Sequence, residues 1–392
     1  MTAPSPDKYL CSRSFLVRLA ISVFGMLLLT ACQATGFSRA SFQIDPLAAR
    51  VPGGGQLLLA DIGGDLRADV LLMNRRPGRV YWFENPSWQF YQIPLMADEL
   101  SAIAAHSLSA GSPASLTLAG RFSIPGSGTR DQLIWLQNPG RELMHGTWTA
   151  TDIRTDVTPD ALLWADLSGT GNRVLVASPE LEVYTPTRAR GWSTMSLLLE
   201  STPPITRLRA YDLDDDGREE LLAAGPLGVD VTELASRGQF VDEFLLLQAS
   251  GSGGFVDVAA GQSGPSPQGT EADFVAALGA YTPQLYVFRP APEVVSGWRM
   301  EIVPVPGSGA HVLQIADLNQ DGIDEIIVGG ESGLQVFYHQ AETPRWQRYE
   351  LAASAMSDVL IADLNADGYP DIVSAPAEPG ALLLFQNRGR RN

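Results

Sequence analysis

Short apolar runs, bounded by Gly, Pro, Asn, Asp and Ser, recur along this chain from Ser41 to Asn387. In one representative stretch HVLQIADL leads into an acidic loop, DEIIVGG leaves that loop, LQVFYHQ follows a Gly-containing turn, and WQRYEL alternates polar and apolar positions. β-branched and aromatic residues between turn-forming residues favour strands over helices. The pattern therefore predicts units of four short strands, with the alternating fourth strand near the rim.

The unit recurs seven times, and each copy can be aligned on the start of its acidic loop. Five copies have an acid at that position: Asp61, Asp166, Asp212, Asp317 and Asp363. Two degenerate copies have His106 and Gly261 there instead. Successive copies start 45 to 60 residues apart. Four strands in a repeat of that length are typical of a propeller blade.

The ends of the repeat region complement each other. The last copy stops after its third strand, ALLLFQN, while an additional strand, SFQIDPL, precedes the first copy. Pairing these two segments would complete the last blade and remove an exposed sheet edge. The sequence thus predicts an all-β fold, a seven-bladed β-propeller over residues 41–387 closed by its N-terminal strand, with a basic tail at 388–392.

The segment before Ser41 has the features of an export signal. Lys8, Arg13 and Arg18 precede a 13-residue apolar run, which is short for a membrane span and typical of a signal-peptide core. The sequence LTAC that follows resembles the lipobox of bacterial lipoproteins. That resemblance implies cleavage after residue 31, lipidation of Cys32 and a tether over residues 32–40. Gln33 after the Cys favours the outer membrane if the organism is Gram-negative.

Composition is consistent with an exported, anchored domain in a bacterial cell envelope. The formal net charge is −17, which argues against nucleic-acid binding because that function needs a basic surface. The second cysteine, Cys11, lies in the predicted signal peptide, so the mature chain is expected to lack a disulfide.

The acidic loops have the chemistry of sites for a hard cation. Ca²⁺ prefers six to eight oxygen ligands, and DLNQDGIDE offers oxygens at alternate positions around Gly322, which permits a sharp turn. A strand follows each loop where an EF-hand needs a helix. The candidate ligands, with the carbonyl used at the fourth member of each set, are Asp212, Asp214, Asp216, Arg218 and Glu220; Asp317, Asn319, Asp321, Ile323 and Glu325; and Asp363, Asn365, Asp367, Tyr369 and Asp371.

These repeats resemble the FG-GAP/VCBS repeats of bacterial surface proteins and of the integrin α-subunit propeller. The resemblance implies calcium in loops of the type D-x-[DN]-x-D-G-x-x-[DE], with a structural role and about three sites. Two other loops depart from that motif. The first blade has Gly63 and Leu66 where Asn or Asp and Gly belong, and the third has Val174 at the ninth position.

No catalytic constellation stands out, since the four His residues fall in unrelated frames of the repeat and no known nucleophile motif occurs. Propeller topology places the acidic loops on one face and the turns between second and third strands on the other. Enlarged loops on one side of a repeat array often bind the partner. The candidates on that second face are Arg75, Arg76, Arg79, Arg121, Arg130 and Tyr281.

The sequence thus favours a calcium-stabilised, membrane-anchored propeller that binds an envelope protein or glycan. Two alternatives stay open. Recurrent Trp residues in fourth strands could stack on sugars, as in a lectin-like binder, although inter-blade packing is the favoured explanation for them. A polysaccharide lyase of similar fold would place His, Tyr and Arg on one face, for which His311, Tyr281, Arg75 and Arg76 are available.

Overall fold

The computed structural model describes residues 41–389, with gaps at 110, 125, 127, 141–145, 179–180, 188–190, 197–204, 215, 235–239, 249–252, 265–272, 292–297 and 341–342. The predicted signal peptide, Cys32 and most of the basic tail lie outside the described residues. Within the described ranges no helix is long and apolar enough to cross a membrane.

All regular elements of the described chain are strands, as the alternation of apolar runs and turn residues predicted. The first half of the chain forms β1 (Phe42–Val51), β2 (Gln56–Ala60), β3 (Asp69–Asn74), β4 (Arg79–Glu84), β5 (Gln89–Gln92), β6 (Ala97–His106), β7 (Ser115–Ile124), β8 (Gly128–Gln137), β9 (Thr149–Thr155), β10 (Leu162–Ala165), β11 (Val174–Ala177), β12 (Glu182–Pro186), β13 (Trp192–Ser196) and β14 (Arg207–Tyr211). The second half forms β15 (Glu220–Ala224), β16 (Gly228–Leu234), β17 (Phe240–Gln248), β18 (Phe255–Gly261), β19 (Phe274–Gly279), β20 (Gln284–Pro290), β21 (Trp298–Pro304), β22 (Ala310–Ala316), β23 (Glu325–Gly330), β24 (Gly333–Gln340), β25 (Thr343–Ala352), β26 (Met356–Ala362), β27 (Asp371–Pro376) and β28 (Gly380–Asn387).

These strands form seven antiparallel four-stranded sheets, which are the blades of the predicted propeller. Blades one to six each use four consecutive strands, from β2–β5 to β22–β25. The seventh blade combines β26, β27 and β28 with the N-terminal β1 as its outer strand. Phe42 lies opposite Asn387 and Ile44 opposite Phe385, so SFQIDPL pairs with ALLLFQN as the sequence predicted.

The core consists of seven hydrophobic clusters, and each cluster lies between two neighbouring blades. The cluster between blades seven and one includes Val373 and Leu382 on one side and Val70 and Phe83 on the other. Second strands are covered on both faces by adjacent blades, and β3, β15, β19 and β23 are buried along their whole length. Apolar contact between successive blades therefore closes the ring.

The antiparallel order of the strands defines two faces. The loop face carries the acidic loops between first and second strands, and the turn face carries the turns between second and third strands. The innermost strands surround a central channel with a volume of about 560 Å³, which opens among residues such as Arg75 and Asp160.

Candidate functional site

Five loops on the loop face share one backbone frame, numbered here from position one, the first acid, to position nine. The N–H group at position six donates to the carboxylate at position one in every case. The pairs are Leu66 with Asp61, Gly171 with Asp166, Gly217 with Asp212, Gly322 with Asp317, and Gly368 with Asp363. This hydrogen bond folds the loop around its first carboxylate.

Position six requires a left-handed backbone, which explains the recurrent glycine. The four glycines at this position have φ angles between 77° and 90°. Leu66 occupies the same place in blade one with a φ of 68° and is 81% exposed. A leucine in this conformation is strained because its Cβ crowds the backbone.

The acid at position nine is buried in all three loops predicted to bind calcium: Glu220, Glu325 and Asp371. Each accepts a hydrogen bond from the N–H at position two, from Leu213 at 2.7 Å, Leu318 at 2.8 Å and Leu364 at 3.2 Å respectively. These contacts point the carboxylate back into the loop, towards the acids at the earlier positions.

Burial without a countercharge makes two of these acids weak acids. Burial raises the pKa of Glu325 to about 9; the Leu318 N–H lowers it, while the carboxylates of Asp321 and Asp317 raise it further. Burial likewise raises the pKa of Asp371 to about 6, with hydrogen bonds from Asn387 and Leu364 opposing that rise and Asp367 adding repulsion. These loops concentrate negative charge that a cation would neutralise.

The oxygens of the three loops fit a hard cation. Asp212, Asp214 and Asp216 can each place a carboxylate oxygen within 4.8 Å of the others. Within the described part of the chain, Asp212 Oδ1 and Asn319 Oδ1 are buried without a hydrogen-bond partner. Buried polar atoms normally have a hydrogen-bond partner. These two unsatisfied oxygens, at positions one and three of their loops, could coordinate a bound cation.

The loop of blade one has the same backbone conformation, but its position-nine acid is stabilised differently. Asp69 accepts N–H groups from Ile62 at 3.0 Å, Gly63 at 3.1 Å and Asn85 at 2.8 Å. Burial raises the pKa of Asp69, and the bonds from Asn85, Gly63 and Ile62 lower it. Backbone donors thus surround this carboxylate where an ion would otherwise be needed.

Blade three replaces the missing acid with an ion pair to its neighbour. Val174 occupies position nine, while Arg173 at position eight lies 2.6 Å from Glu219 of blade four and also donates to the Trp164 carbonyl. Glu219 accepts the backbone N–H of Asp166 at 2.8 Å. Arg173 therefore stabilises the blade three loop through contacts with blade four and with its own blade.

On the turn face, the arginines of blades one and two are partly neutralised by acids that the sequence analysis did not assign to them. Arg76 lies 2.6 Å from Glu99, and Arg121 lies 3.0 Å from Asp131. Arg75 donates to the Ser101 carbonyl and Arg79 to the Gly78 and Ala97 carbonyls. Arg130 is exposed at the start of β8.

Beside Arg130 the structure contains a groove that the sequence analysis missed. It has a volume of about 740 Å³ and lies between the outer edge of blade one and the sheet of blade two. Its apolar wall includes Leu95, Phe122, Ile134 and Trp148. Met96 at its rim is 65% exposed. The extended strands β7 and β8, both ten residues long, build this wall.

The residues considered for a lyase site come from separate blades. Arg75 and Arg76 belong to blade one, Tyr281 to blade five and His311 to blade six, with blade seven between the last and the first. Both ring nitrogens of His311 contact carbonyl oxygens, of Gly309 and Ser357. Tyr281 is 82% exposed and packs beside Gly253. His145 lies outside the described residues.

Several tryptophans pack inside the protein, in agreement with the inter-blade packing considered for the tryptophans in the sequence analysis. Trp82, Trp135 and Trp148 are buried, and Trp135 makes an edge contact with Trp164 at a ring distance of 5.8 Å. His106 stacks on the other side of Trp164 at 4.4 Å. Trp82 and Trp148 pack between blades one and two, and Trp135 and Trp164 pack between blades two and three. The buried rings of Trp82 and Trp135 cannot stack on a sugar from solvent.

The central channel contains a charged cluster that also joins blades. Asp257 lies 3.3 Å from Arg207 and 3.4 Å from Arg209, and it accepts the N–H of Leu313 in the next blade. At the equivalent place in blade seven, Asp358 accepts the N–H of Leu57 across the ring closure at 2.7 Å. These buried acids fasten successive inner strands to each other.

Comparison with known proteins agrees with this geometry. The family model for the FG-GAP-like repeat matches residues 317–374, which run from the loop of blade six into the second strand of blade seven. No curated protein matches the sequence.

Two similar solved structures are complexes of BBS1N with ARL6DN. The crystal soaked with mercury gives a TM-score of 0.58 at 11% identity, covering 89% of this chain and 97% of that chain. The crystal soaked with lead gives 0.60 at 11% identity, covering 90% and 98%. Similarity at this level of identity concerns the fold.

The fold and the loop frame define a class of protein, the seven-bladed β-propeller with acidic hairpin loops. Within that class, residues 317–374 match the FG-GAP-like repeat.

Proposed function

We propose that this protein is a calcium-stabilised, membrane-anchored interaction module of the bacterial envelope, and that it binds a partner protein at the turn face of blades one and two. The observation that carries the proposal is the open apolar groove beside Arg130, with exposed Met96 at its rim. Apolar grooves next to an arginine are typical of protein interfaces, where arginine and large apolar side chains are enriched.

Calcium has a structural role in this proposal. The loops of blades four, six and seven would hold the ions through their carboxylates, the Asn319 or Asn365 amide oxygen and the carbonyl at position seven. A bound ion supplies positive charge that neutralises carboxylates gathered in one hairpin. The orphaned oxygens of Asp212 and Asn319 support this assignment.

The partner chemistry follows from the groove. An apolar side chain of the partner would fill the space beside Phe122 and Trp148, and an acidic side chain would meet Arg130. A protein partner is also favoured by the similar propeller of BBS1N, which is in complex with ARL6DN. A glycan is the second candidate; the burial of Trp82 and Trp135 makes it the weaker one.

The anchor in this proposal is the lipidated Cys32, with the outer membrane as the destination in a Gram-negative cell. β1 begins on the loop face beside the end of β28, since the Arg388 N–H donates to the Ser41 carbonyl. The tether therefore leaves from the face opposite the groove. Cys32→Ser is expected to release the protein from membranes or block its processing, and metabolic labelling with an alkyne fatty acid checks the assignment.

The partner site is tested by site-specific photo-crosslinking in cells. A crosslinker at Met96 is expected to trap a defined protein, identified by mass spectrometry, and one at Leu108 on the loop face is not. Arg130→Glu should abolish the Met96 adduct, while the matched control Arg67→Glu, also an exposed arginine but on the loop face, should preserve it. Adducts formed at Leu108 and unaffected by Arg130→Glu would refute the proposed face.

A further inference from the structure

Three buried asparagines occupy the same place in three successive blades, where the third strand ends on the loop face. They are Asn387 in blade seven, Asn85 in blade one and Asn138 in blade two, with exposures of 2%, 3% and 8%. Asparagine is rarely buried this completely unless its amide is fully hydrogen-bonded. Their contacts are the same in each blade.

Each asparagine side chain joins its own blade to the preceding one. The amide Nδ2 donates to the position-two carbonyl of the preceding loop: Asn387 to Leu318 at 2.7 Å, Asn85 to Leu364 at 2.7 Å, and Asn138 to Ile62 at 3.0 Å. The second Nδ2 bond goes to the carbonyl of the residue just before the second strand of its own blade: Asn387 to Pro370, Asn85 to Ala68, and Asn138 to Ala114.

The backbone of each asparagine holds the first side chain of the second strand of its own blade, which is the position-nine acid in blades seven and one. The N–H donates to Asp371 at 2.7 Å from Asn387, to Asp69 at 2.8 Å from Asn85, and to Ser115 at 3.0 Å from Asn138. One residue therefore fixes the first side chain of the second strand in its own blade and the position-two carbonyl of the preceding blade.

Between blades six and seven this arrangement links two complete acidic loops. The N–H of Leu318 donates to Glu325, and the carbonyl of the same residue accepts from Asn387, whose own N–H donates to Asp371. Glu325 and Asp371 are the position-nine acids of the two loops. A second bridge runs directly between the loops, from Gln320 Nε2 to the Gly368 carbonyl.

In the described part of the chain, no such asparagine joins the loop of blade four to blade five. Blade five ends its third strand with Pro290, which occupies the place of the asparagine. Proline has no N–H and no side-chain donor, so it can make neither bond. Of the three complete acidic loops, those of blades six and seven are joined by an asparagine, and that of blade four contacts the incomplete loop of blade three within the described residues.

We infer that Asn387 is a positioning residue that couples the loops of blades six and seven, so that these two loops take up calcium cooperatively while the loop of blade four binds independently. The inference rests on the calcium binding proposed above. An ion held by Asp371 restrains Asn387, which restrains the Leu318 peptide and thereby orients Glu325. The second ion then binds to a loop that is already ordered, and this lowers its entropic cost.

The test is a calcium titration by calorimetry of the full-length mature protein carrying Asp216→Ala, which silences blade four. We expect two ions that bind with a Hill coefficient above one. Adding Asp367→Ala silences blade seven and should weaken calcium binding at blade six by about fivefold or more, the usual lower size of allosteric coupling. In an Asn387→Leu background, Asp367→Ala should no longer change the affinity of blade six.

Asn138→Leu is the matched control, because Asn138 makes the same set of bonds between two blades without complete acidic loops. It should cost similar stability and leave the coupling intact. If Asn387→Leu does not fold, the titrations with Asn387 present still measure whether the two loops are coupled. Gln320→Ala, which removes the second bridge, then tests whether the coupling depends on that bridge. Two ions binding with equal, independent affinities would overturn the inference alone, whereas no calcium binding would overturn the proposed function.

Discussion

The loops of blade one and blade six have the same backbone frame but stabilise their buried acid in opposite ways. Asp69 in blade one is surrounded by three backbone N–H donors. Glu325 in blade six accepts one backbone N–H and the Asn319 amide, and its pKa rises to about 9. The buried acid of blade one is satisfied by backbone hydrogen bonds, whereas the buried acid of blade six lies among other carboxylates, and calcium is proposed to neutralise them.

The difference begins at position three. Gly63 in blade one brings its backbone N–H to Asp69, whereas blade six has Asn319, whose side-chain oxygen is buried without a partner within the described residues. Loss of a ligand residue in blade one is thus accompanied by a new hydrogen bond. The loop of blade one therefore keeps the backbone conformation of the blade but lacks the side-chain oxygen that Asn319 provides in blade six.

Removing calcium should produce the largest effect, because it acts on three loops at once. Extracellular calcium modules typically have a Kd of roughly 10⁻⁴–10⁻³ M. At tenfold that concentration each site adds about 1.4 kcal/mol, or about 4 kcal/mol for three. Scanning calorimetry in chelator and in millimolar calcium checks this, and identical melting curves would contradict it.

Asp69→Ala should have the next largest effect and should not depend on calcium. The Gly63 and Asn85 N–H groups lose their acceptor, whereas Ile62 keeps a bond to the Ala60 carbonyl at 3.1 Å. Two buried N–H groups without an acceptor cost at least about 2 kcal/mol. Asp371→Ala is the comparison, since it removes two such bonds and a calcium ligand. Melting with and without chelator should show an unchanged calcium response for Asp69→Ala and a reduced one for Asp371→Ala. A reduced response in both would place an ion in blade one.

Asp321→Ala and Asp367→Ala should each remove about 1.4 kcal/mol of calcium-dependent stability at tenfold Kd. Asp321 accepts the Ile323 N–H, and Asp367 accepts the Tyr369 N–H and the Asn365 amide. These bonds are local and exposed or half-buried, so their loss should be small in chelator. The matched change in blade one, Asp65→Ala, should leave the calcium response unaltered. Chemical denaturation at two calcium concentrations measures all three.

Leu66→Gly should have the smallest effect, a gain of about 1 kcal/mol, because glycine adopts the left-handed conformation at position six without strain. The calcium response should stay unchanged, since Asp61 and Asp65 keep their local bonds. A new calcium dependence of the melting temperature in this variant would show that glycine alone restores an ion site in blade one.

The sequence could predict those features that depend on the spacing of residues close together along the chain and on the repeat interval. The interval between acidic loops predicted the blades, and the missing fourth strand after ALLLFQN predicted the pairing with β1. The spacing within DLNQDGIDE predicted which side chains meet in one loop, because all of them lie on a single hairpin.

The remaining features depend on contacts between distant parts of the chain. Asn85 bonds to Leu364, which is 279 residues away, and no local pattern marks that pair. The arginines at 76 and 121 formed a positive sector in the sequence, yet Glu99 and Asp131 neutralise them after folding. The groove beside Arg130 likewise exists only because the connection before β6 packs against blade two.

The central claim is that hydrogen bonds complete the loop of blade one and calcium completes the loops of blades four, six and seven. It is tested most directly by anomalous diffraction from crystals of the mature protein grown in millimolar calcium. The account predicts three ions, at Asp212, Asp317 and Asp363, and none at Asp61. An ion bound at Asp61, or none in the three acidic loops, would contradict it.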